Sequence, residues 1–130
     1  MASAKKVLLV DDDPDFIEIN RIALESKGYT ILAAADGDEG LATAKAERPD
    51  AIVLDVMMST PTEGFEVARQ LRADPDLARI PLIMLTSVNR EGLPWRYEPD
   101  SEWLPVDVFL DKPVPADRLI ATVEKALSGE

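Results

Sequence analysis

Residues 7–14 decide the fold, and they read VLLVDDDP. The four apolar residues predict a short strand that is buried on both faces, because no polar residue interrupts the run. Three aspartates end the run. Pro14 then suits the first turn of a helix, and Asp13 is placed to be its N-cap. The stretch therefore predicts a buried strand, an acidic turn and a helix in direct succession.

Apolar runs and helical patterns alternate in the same way along the rest of the chain. Further strands are predicted over residues 30–34, 51–54, 81–85 and 106–110, and further helices begin at Asp36, after Gly64 and at Pro115. Apolar strands separated by helices are typical of a parallel sheet that is covered on both faces. The fold class is therefore α/β, a doubly wound sheet of five parallel strands, and residues 1–130 are expected to form a single domain.

Helical spacing predicts which side of each helix faces the sheet. In the first helix, Phe16, Ile19 and Ala23 share one face. In the last helix, Leu119, Val123 and Leu127 are predicted to point inward.

The composition excludes several classes of site. The 130 residues include no cysteine and no histidine, which rules out disulfides, thiolate and histidine metal sites and Ser-His-Asp triads. A total of 14 lysines and arginines against 25 aspartates and glutamates gives a net charge of −11, which argues against direct nucleic-acid binding. The apolar runs are too short to span a membrane or to form the core of a signal peptide. A cytoplasmic protein is therefore expected.

Reactive side chains follow the predicted strands. In a parallel α/β sheet, functional groups gather at the carboxyl ends of the strands, and here those ends carry Asp11, Asp12, Asp55, Thr86 and Lys112. Carboxylate oxygens suit Mg²⁺, and an ammonium group and a hydroxyl suit an incoming phosphoryl group. With histidine and cysteine absent, a carboxylate is the obvious nucleophile, and its product would be an acyl phosphate.

Four segments in this order resemble the receiver domain of bacterial two-component response regulators: LVDD at 9–12, LD at 54–55, LTS at 85–87 and DKP at 111–113. The resemblance covers almost the whole chain and implies a flavodoxin-like fold. It also implies that Asp55 accepts a phosphoryl group from a histidine kinase or a histidine phosphotransfer protein, and that Mg²⁺ is needed. Such a domain is a signalling switch for a downstream protein partner rather than an enzyme.

The same resemblance implies a role for each matching residue. Asp12 and Asp55 would ligate the metal directly, Asp11 would do so through water, and the carbonyl group of Met57 would complete the protein ligands. Lys112 would pair with the phosphoryl oxygens. Two further residues match the family's switch pair: Thr86, which would turn inward to bind the phosphoryl group, and Phe109, an aromatic residue on the fifth strand.

The chain departs from the family pattern beside the phosphoacceptor. Ser59 stands where the family usually has proline, and the distance from Asp55 to Gly64 is one residue longer than usual. The loop next to the site is therefore expected to differ from that of other receivers.

A second departure lies between the fourth and fifth predicted strands. Three prolines interrupt residues 88–105, where the family places its fourth helix, so a broken or replaced helix is predicted. Trp95, Tyr97 and Trp103 also lie in this stretch, and local packing and contact with a partner both remain open for them.

Two residues near the phosphoacceptor predict a long-lived phosphoryl group. By resemblance to receivers, Met57 and Val88 occupy the positions that reach the water that attacks the acyl phosphate. Neither side chain, a thioether and a hydrocarbon, positions a water molecule well, so slow self-dephosphorylation is expected.

Other classes fit the sequence less well. A calcium-binding EF-hand loop fails because Phe16 and Ile22 replace its required glycine and glutamate, and a haloacid-dehalogenase-like phosphatase fails at Asp15. The remaining alternative is a receiver-like interaction module that works without phosphorylation. No output domain is expected within this chain, and both a stand-alone receiver and part of a longer protein remain open.

Overall fold

The computed structural model describes residues 5–55, 63–86, 108–111 and 115–127. Within these residues the chain forms five strands and four helices, in the order β1 (Lys6–Val10), α1 (Pro14–Glu25), β2 (Thr30–Ala34), α2 (Gly37–Glu47), β3 (Ala51–Asp55), α3 (Glu63–Ala73), β4 (Leu82–Thr86), β5 (Val108–Asp111) and α4 (Ala116–Leu127). None of these helices has the length and apolar character needed to cross a bilayer.

All neighbouring strands are parallel, and their order in the sheet is β2-β1-β3-β4-β5. This is the strand order of flavodoxin-like doubly wound folds, in which ligands bind outside the carboxyl ends of the strands. The predicted parallel sheet with helices packed on it is confirmed. Strands β3, β4 and β5 each run one residue further than predicted, so Asp55, Thr86 and Asp111 are the last residues of their strands.

The two faces of the sheet build two separate parts of the core. Leu8, Val10, Ile52, Leu54 and Met84 point to the face covered by α2 and α3. Their neighbours along the strands point to the opposite face, which α1 and α4 cover; these neighbours are Val7, Leu9, Val53, Ile83 and Leu85. Because side chains alternate along a strand and both faces are covered, an unbroken apolar run is what the central strands require.

The predicted inward face of α1 is wrong at one position. Ile19 is 61% exposed, whereas the buried residues of this helix are Asn20 and Leu24. Asn20 satisfies part of its hydrogen-bonding need by donating from Nδ2 to the Phe16 carbonyl oxygen at 2.9 Å. A polar residue therefore takes a core position and an isoleucine faces solvent, which a pattern based on hydrophobicity alone cannot detect. In α4, the predicted inward positions of Leu119 and Val123 are confirmed, and Leu127 is partly buried against the same part of the core.

A capping arrangement starts α2 where the sequence predicts it. The Asp36 carboxylate accepts a hydrogen bond from the Glu39 backbone N–H at 2.8 Å, and the Glu39 carboxylate accepts one from the Ala35 N–H at 2.6 Å. These two bonds resemble a capping box, with the glutamate reaching one residue further back than usual. They hold the end of β2 against the beginning of α2.

The expected break in the family's fourth helix, and with it Trp95, Tyr97 and Trp103, falls on residues 87–107, which lie outside the described residues.

An arginine ties the end of α3 to the approach of β4. The Arg72 guanidinium donates from one nitrogen to the carbonyl oxygens of Ala78 and Ile80, at 2.9 Å and 2.7 Å. Both carbonyl groups belong to the turn that leads into β4, so Arg72 fixes the position at which the chain re-enters the sheet.

Replacing Arg72 with methionine is therefore expected to destabilise the domain by about 2 kcal/mol, since hydrogen bonds from a charged group contribute about 1.5–3 kcal/mol each and the apolar stem is kept. Urea unfolding measures the change. The control is Arg69→Met on the same helix, where the exposed arginine lies 3.7 Å from the Glu66 carboxylate. Equal losses in the two variants would contradict the role given to Arg72.

Candidate functional site

The register of the sheet brings acidic residues of different strands to one edge. Val10 of β1 pairs with Leu54 of β3, so Asp11 and Asp55 follow directly at neighbouring strand ends. On the other side of β3, Asp55 pairs with Leu85 of β4. The predicted meeting of the strand-end carboxylates follows from this parallel alignment.

Three carboxylates lie close together at this edge, and together they are called the carboxylate group. One carboxylate oxygen from each of Asp11, Asp12 and Asp55 lies within 4.8 Å of the other two. Asp11 and Asp55 are only 2% and 3% exposed, whereas Asp12 is exposed to solvent. Two of the three negative charges are thus held in the body of the protein and the third is open to solvent.

Asp11 and Asp13 make different hydrogen bonds in the turn after β1. The Asp11 N–H donates to the Ala34 carbonyl oxygen at 3.1 Å, which continues the β1–β2 ladder by one residue. The Asp11 carboxylate accepts the Asp13 N–H at 2.9 Å and so closes the turn. Asp13 caps α1, as predicted, by accepting from the N–H groups of Asp15 and Phe16 at 3.0 Å and 3.4 Å.

This group of side chains fits a divalent cation. Carboxylates held this close repel one another, and burial removes much of the water that would otherwise screen the repulsion. Hard oxygen ligands, few in number and with one side open to water, suit Mg²⁺, which binds a small number of carboxylates and keeps several waters.

The structure places the other predicted residues only in part. Thr86 is the last residue of β4 and pairs with Asp111, while Phe109 lies in β5 and pairs with Met84. Met57 and Lys112 lie outside the described residues. The backbone register therefore carries Thr86 and Asp111 to the same edge of the sheet as Asp55.

A cleft beside the carboxylate group was not predicted from the sequence. It has a volume of about 450 Å³ and lies between the start of α1 and the start of α2. Asp11 and Asp12 line the side of the cleft that is next to the carboxylate group. Ile17 and Ala33–Ala35 supply apolar surface, and Glu18 and Glu39 add two more carboxylates. Glu39 belongs to the capping arrangement of α2, and its residue type gives no sign of a cleft, because the cleft arises from the β1–β2 register.

Comparison with known proteins decides the family. The model of the response regulator receiver domain matches residues 7–124. The chain belongs to this family.

Relatives and solved structures agree with this assignment. The chain is 32% identical over 127 residues to protein PilH of Pseudomonas aeruginosa, covering 95% of this chain and 98% of PilH. It is 35% identical over 127 residues to RpaA of Synechocystis, a DNA-binding transcriptional regulator, but it spans only 48% of that protein. The structure of the chemotaxis protein CheY4 from Vibrio cholerae matches with a TM-score of 0.80 at 30% identity, covering 95% of this chain and 98% of CheY4.

This receiver domain is thus a phosphoacceptor domain of two-component signalling with a CheY-like, flavodoxin-like fold. Receiver domains act in signalling and typically bind Mg²⁺ at an acidic pocket, and the three carboxylates form such a pocket here. The family assignment implies a histidine kinase or a phosphotransfer partner. No finding favours the alternative of an interaction module that works without phosphorylation.

Replacing Asp12 with asparagine is expected to weaken Mg²⁺ binding at least tenfold, because it removes one carboxylate from the group. The metal-free variant should be as stable as the wild type or up to about 1 kcal/mol more stable, since a like-charge repulsion is relieved. Thermal unfolding at increasing Mg²⁺ concentration measures both effects, because a ligand that binds only the folded state raises the unfolding temperature.

Asp13→Asn is the matched control: it makes the same change of charge at the next residue, and asparagine is an equally good N-cap. If both variants lose the same Mg²⁺-dependent stabilisation, the metal does not bind through Asp12.

Proposed function

We propose that Asp55 is the residue that accepts the phosphoryl group, in a Mg²⁺-dependent reaction with a histidine kinase or a histidine phosphotransfer protein. The observation that carries this proposal is the position of Asp55. It is the carboxylate of a strand lying between β1 and β4, and it meets two carboxylates of the β1–α1 turn within 4.8 Å. A carboxylate that attacks a phosphoryl group is helped by a divalent cation beside it, and Asp11 and Asp12 are placed to help hold one next to Asp55.

The reaction transfers a phosphoryl group from a histidine nitrogen of the donor to a carboxylate oxygen of Asp55. The bond from phosphorus to nitrogen breaks, its electron pair stays on the imidazole, and a bond from phosphorus to the Asp55 oxygen forms. When bound, Mg²⁺ supplies positive charge that offsets the phosphoryl and carboxylate oxygens. By resemblance to the family, Asp12 and Asp55 would hold it directly, Asp11 would hold it through water, and the Met57 carbonyl group would complete the protein ligands.

Three further residues are assigned to respond to the new phosphoryl group. We assign Thr86, the last residue of β4, to bind the phosphoryl oxygens through its hydroxyl group. Lys112, which follows the last residue of β5, pairs with the same oxygens as a point charge. Phe109 in β5 acts as the switch aromatic, so that phosphorylation changes the surface offered to a downstream protein.

The setting of this reaction follows from the whole chain. Residues 1–130 act as a single receiver domain in the cytoplasm, and the domain catalyses only its own phosphorylation and slow dephosphorylation. The net charge of −11 favours a protein partner over direct contact with nucleic acid.

Incubation with acetyl phosphate and Mg²⁺ is expected to add one phosphoryl group to the wild-type chain, as measured by intact mass. The addition should disappear in Asp55→Asn and in excess chelator, because the nucleophile and the metal are removed in turn. Asp38→Asn, an exposed residue in the first turn of α2, should react like the wild type. A wild-type level of adduct in Asp55→Asn would refute the assignment.

The lifetime of the phosphoryl group gives a separate prediction. Met57→Asn combined with Val88→Glu should speed phosphate loss at least fivefold, because each new side chain can orient the attacking water. Loss of the adduct is followed by intact mass after removal of the donor. The control pair Ala42→Glu and Ala46→Asn lies on exposed positions of α2 and should leave the lifetime unchanged. Equal lifetimes in all three proteins would show that water orientation does not limit hydrolysis here.

A further inference from the structure

The cleft beside the carboxylate group has features of a docking site for a long cationic side chain. Its apolar surface comes from Ile17 and from residues 33–35 at the end of β2. The carboxylates of Asp11, Asp12, Glu18 and Glu39 surround this apolar surface, and none of the described residues that line the cleft is basic. An aliphatic stem with a positive head matches such a surface, because lysine and arginine side chains lay their stems on apolar groups and keep their charge at a polar edge.

The two glutamates of the cleft are already held in position. The Glu39 carboxylate accepts the Ala35 N–H at 2.6 Å. Glu18 is paired with Arg21, and this hydrogen bond and the attraction between the two charges raise the pKa of Arg21 above its ordinary value. Because Arg21 compensates Glu18, Glu39 is the carboxylate that a seated cation would meet most directly. A preformed carboxylate lowers the entropic cost of binding.

We propose that this cleft receives a lysine or arginine side chain of the protein that donates the phosphoryl group. The inference rests on the proposed function, and it adds a contact that selects the donor. Asp11 and Asp12 belong both to the cleft wall and to the carboxylate group, so a side chain seated in the cleft lies directly beside the phosphorylation site.

Charge favours this occupant over a second copy of the chain. Two copies that each carry −11 repel one another, and a donor with a basic side chain at the right place is attracted. The volume of about 450 Å³ accommodates a long side chain together with some of its hydration water. A free small cation is the competing occupant, and the experiment separates the two.

The first measurement uses n-butylguanidinium as a stand-in for the side chain, with n-butylurea as the neutral molecule of similar shape. Both are titrated into the wild-type chain in saturating Mg²⁺, and backbone amide shifts are followed by NMR. Saturable shifts are expected at residues 33–35 and Ile17, and n-butylurea should bind at least fivefold more weakly. Shifts spread evenly over the acidic surface, or equal binding of the two molecules, would overturn the proposal.

Ala35→Lys tests the cleft directly, because it places a cation inside while leaving the Ala35 backbone N–H in place. Affinity for n-butylguanidinium should fall at least fivefold. The matched control is Ala46→Lys, which makes the same change on an exposed part of α2 and should stay within twofold of the wild type. Ala33→Lys, which lines the same cleft, replaces Ala35→Lys if that variant does not fold.

The second measurement compares two phosphoryl donors. One is the autophosphorylated histidine kinase that transfers fastest to the wild-type chain in a purified panel, and the other is acetyl phosphate, which has no side chain to seat. Ala35→Lys should raise KM for the kinase at least fivefold more than it raises KM for acetyl phosphate. The KM of Ala35→Lys for the kinase could equal that of the wild type although the wild-type cleft binds n-butylguanidinium. That result would assign the cleft to a free cation and overturn the proposal. An equal rise for both donors would also overturn it.

These outcomes differ from failure of the proposed function. If the wild-type chain takes no phosphoryl group on Asp55 from either donor, the proposed function fails, and the inference about the donor fails with it. If Asp55 is phosphorylated normally and the cleft variants behave like the wild type, only the inference fails.

Discussion

Repulsion among three carboxylates held within 4.8 Å of one another is the constraint on which the structure of this domain depends. For the buried pair Asp11 and Asp55, an effective dielectric constant of 20 gives a repulsion on the order of 3 kcal/mol, whereas water screens the repulsion that involves the exposed Asp12. Two of the three groups are also almost completely buried, so water screens them poorly. A divalent cation turns this cost into attraction. The arrangement is therefore least stable when empty and ready to bind a metal together with the negative oxygens of a phosphoryl group.

The sheet supplies the stiffness that such a repulsive site needs. Val10 and Leu54, the residues that precede Asp11 and Asp55, are paired in the sheet and almost fully buried. Helix α2 approaches Val10 so closely that a Cβ at Gly40 would lie 3.0 Å from both of its γ carbons. Glycine at this point lets the helix pack against the end of β1, and the backbone that carries Asp11 is held on both sides. Movement apart, which would relieve the repulsion, would disrupt this packing.

The sequence predicts the carboxylate group better than it predicts the surface around it. Asp11 and Asp55 each follow an apolar run, and one rule about parallel strands is enough to bring them together. Ile19 shows where this kind of reasoning fails. Spacings of three and four residues fit more than one face of α1, and the true inner face contains Asn20, a polar residue whose hydrogen bond to its own helix makes burial tolerable. The cleft could not be predicted from the sequence either. Ala33 and Glu39 do not indicate a binding site by their residue types, and only the β1–β2 register places them beside Asp12.

The carboxylate group and the cleft act in different ways against the repulsion between this acidic domain and a phosphorylated donor. A phosphorylated donor brings negative charge to a domain with a net charge of −11, so the same acidity that prepares the site for a metal opposes the approach of the substrate. The metal offsets this opposition only at short range, because mobile ions screen exposed charges beyond about 8–10 Å. A basic side chain on the donor meets the acidic cleft next to the site and supplies an attraction in addition to that of the metal. Chemistry then depends on Asp55 and its metal ligands, which any receiver of this design needs. Choice of donor depends on groups such as Glu39, which can change without altering the reaction.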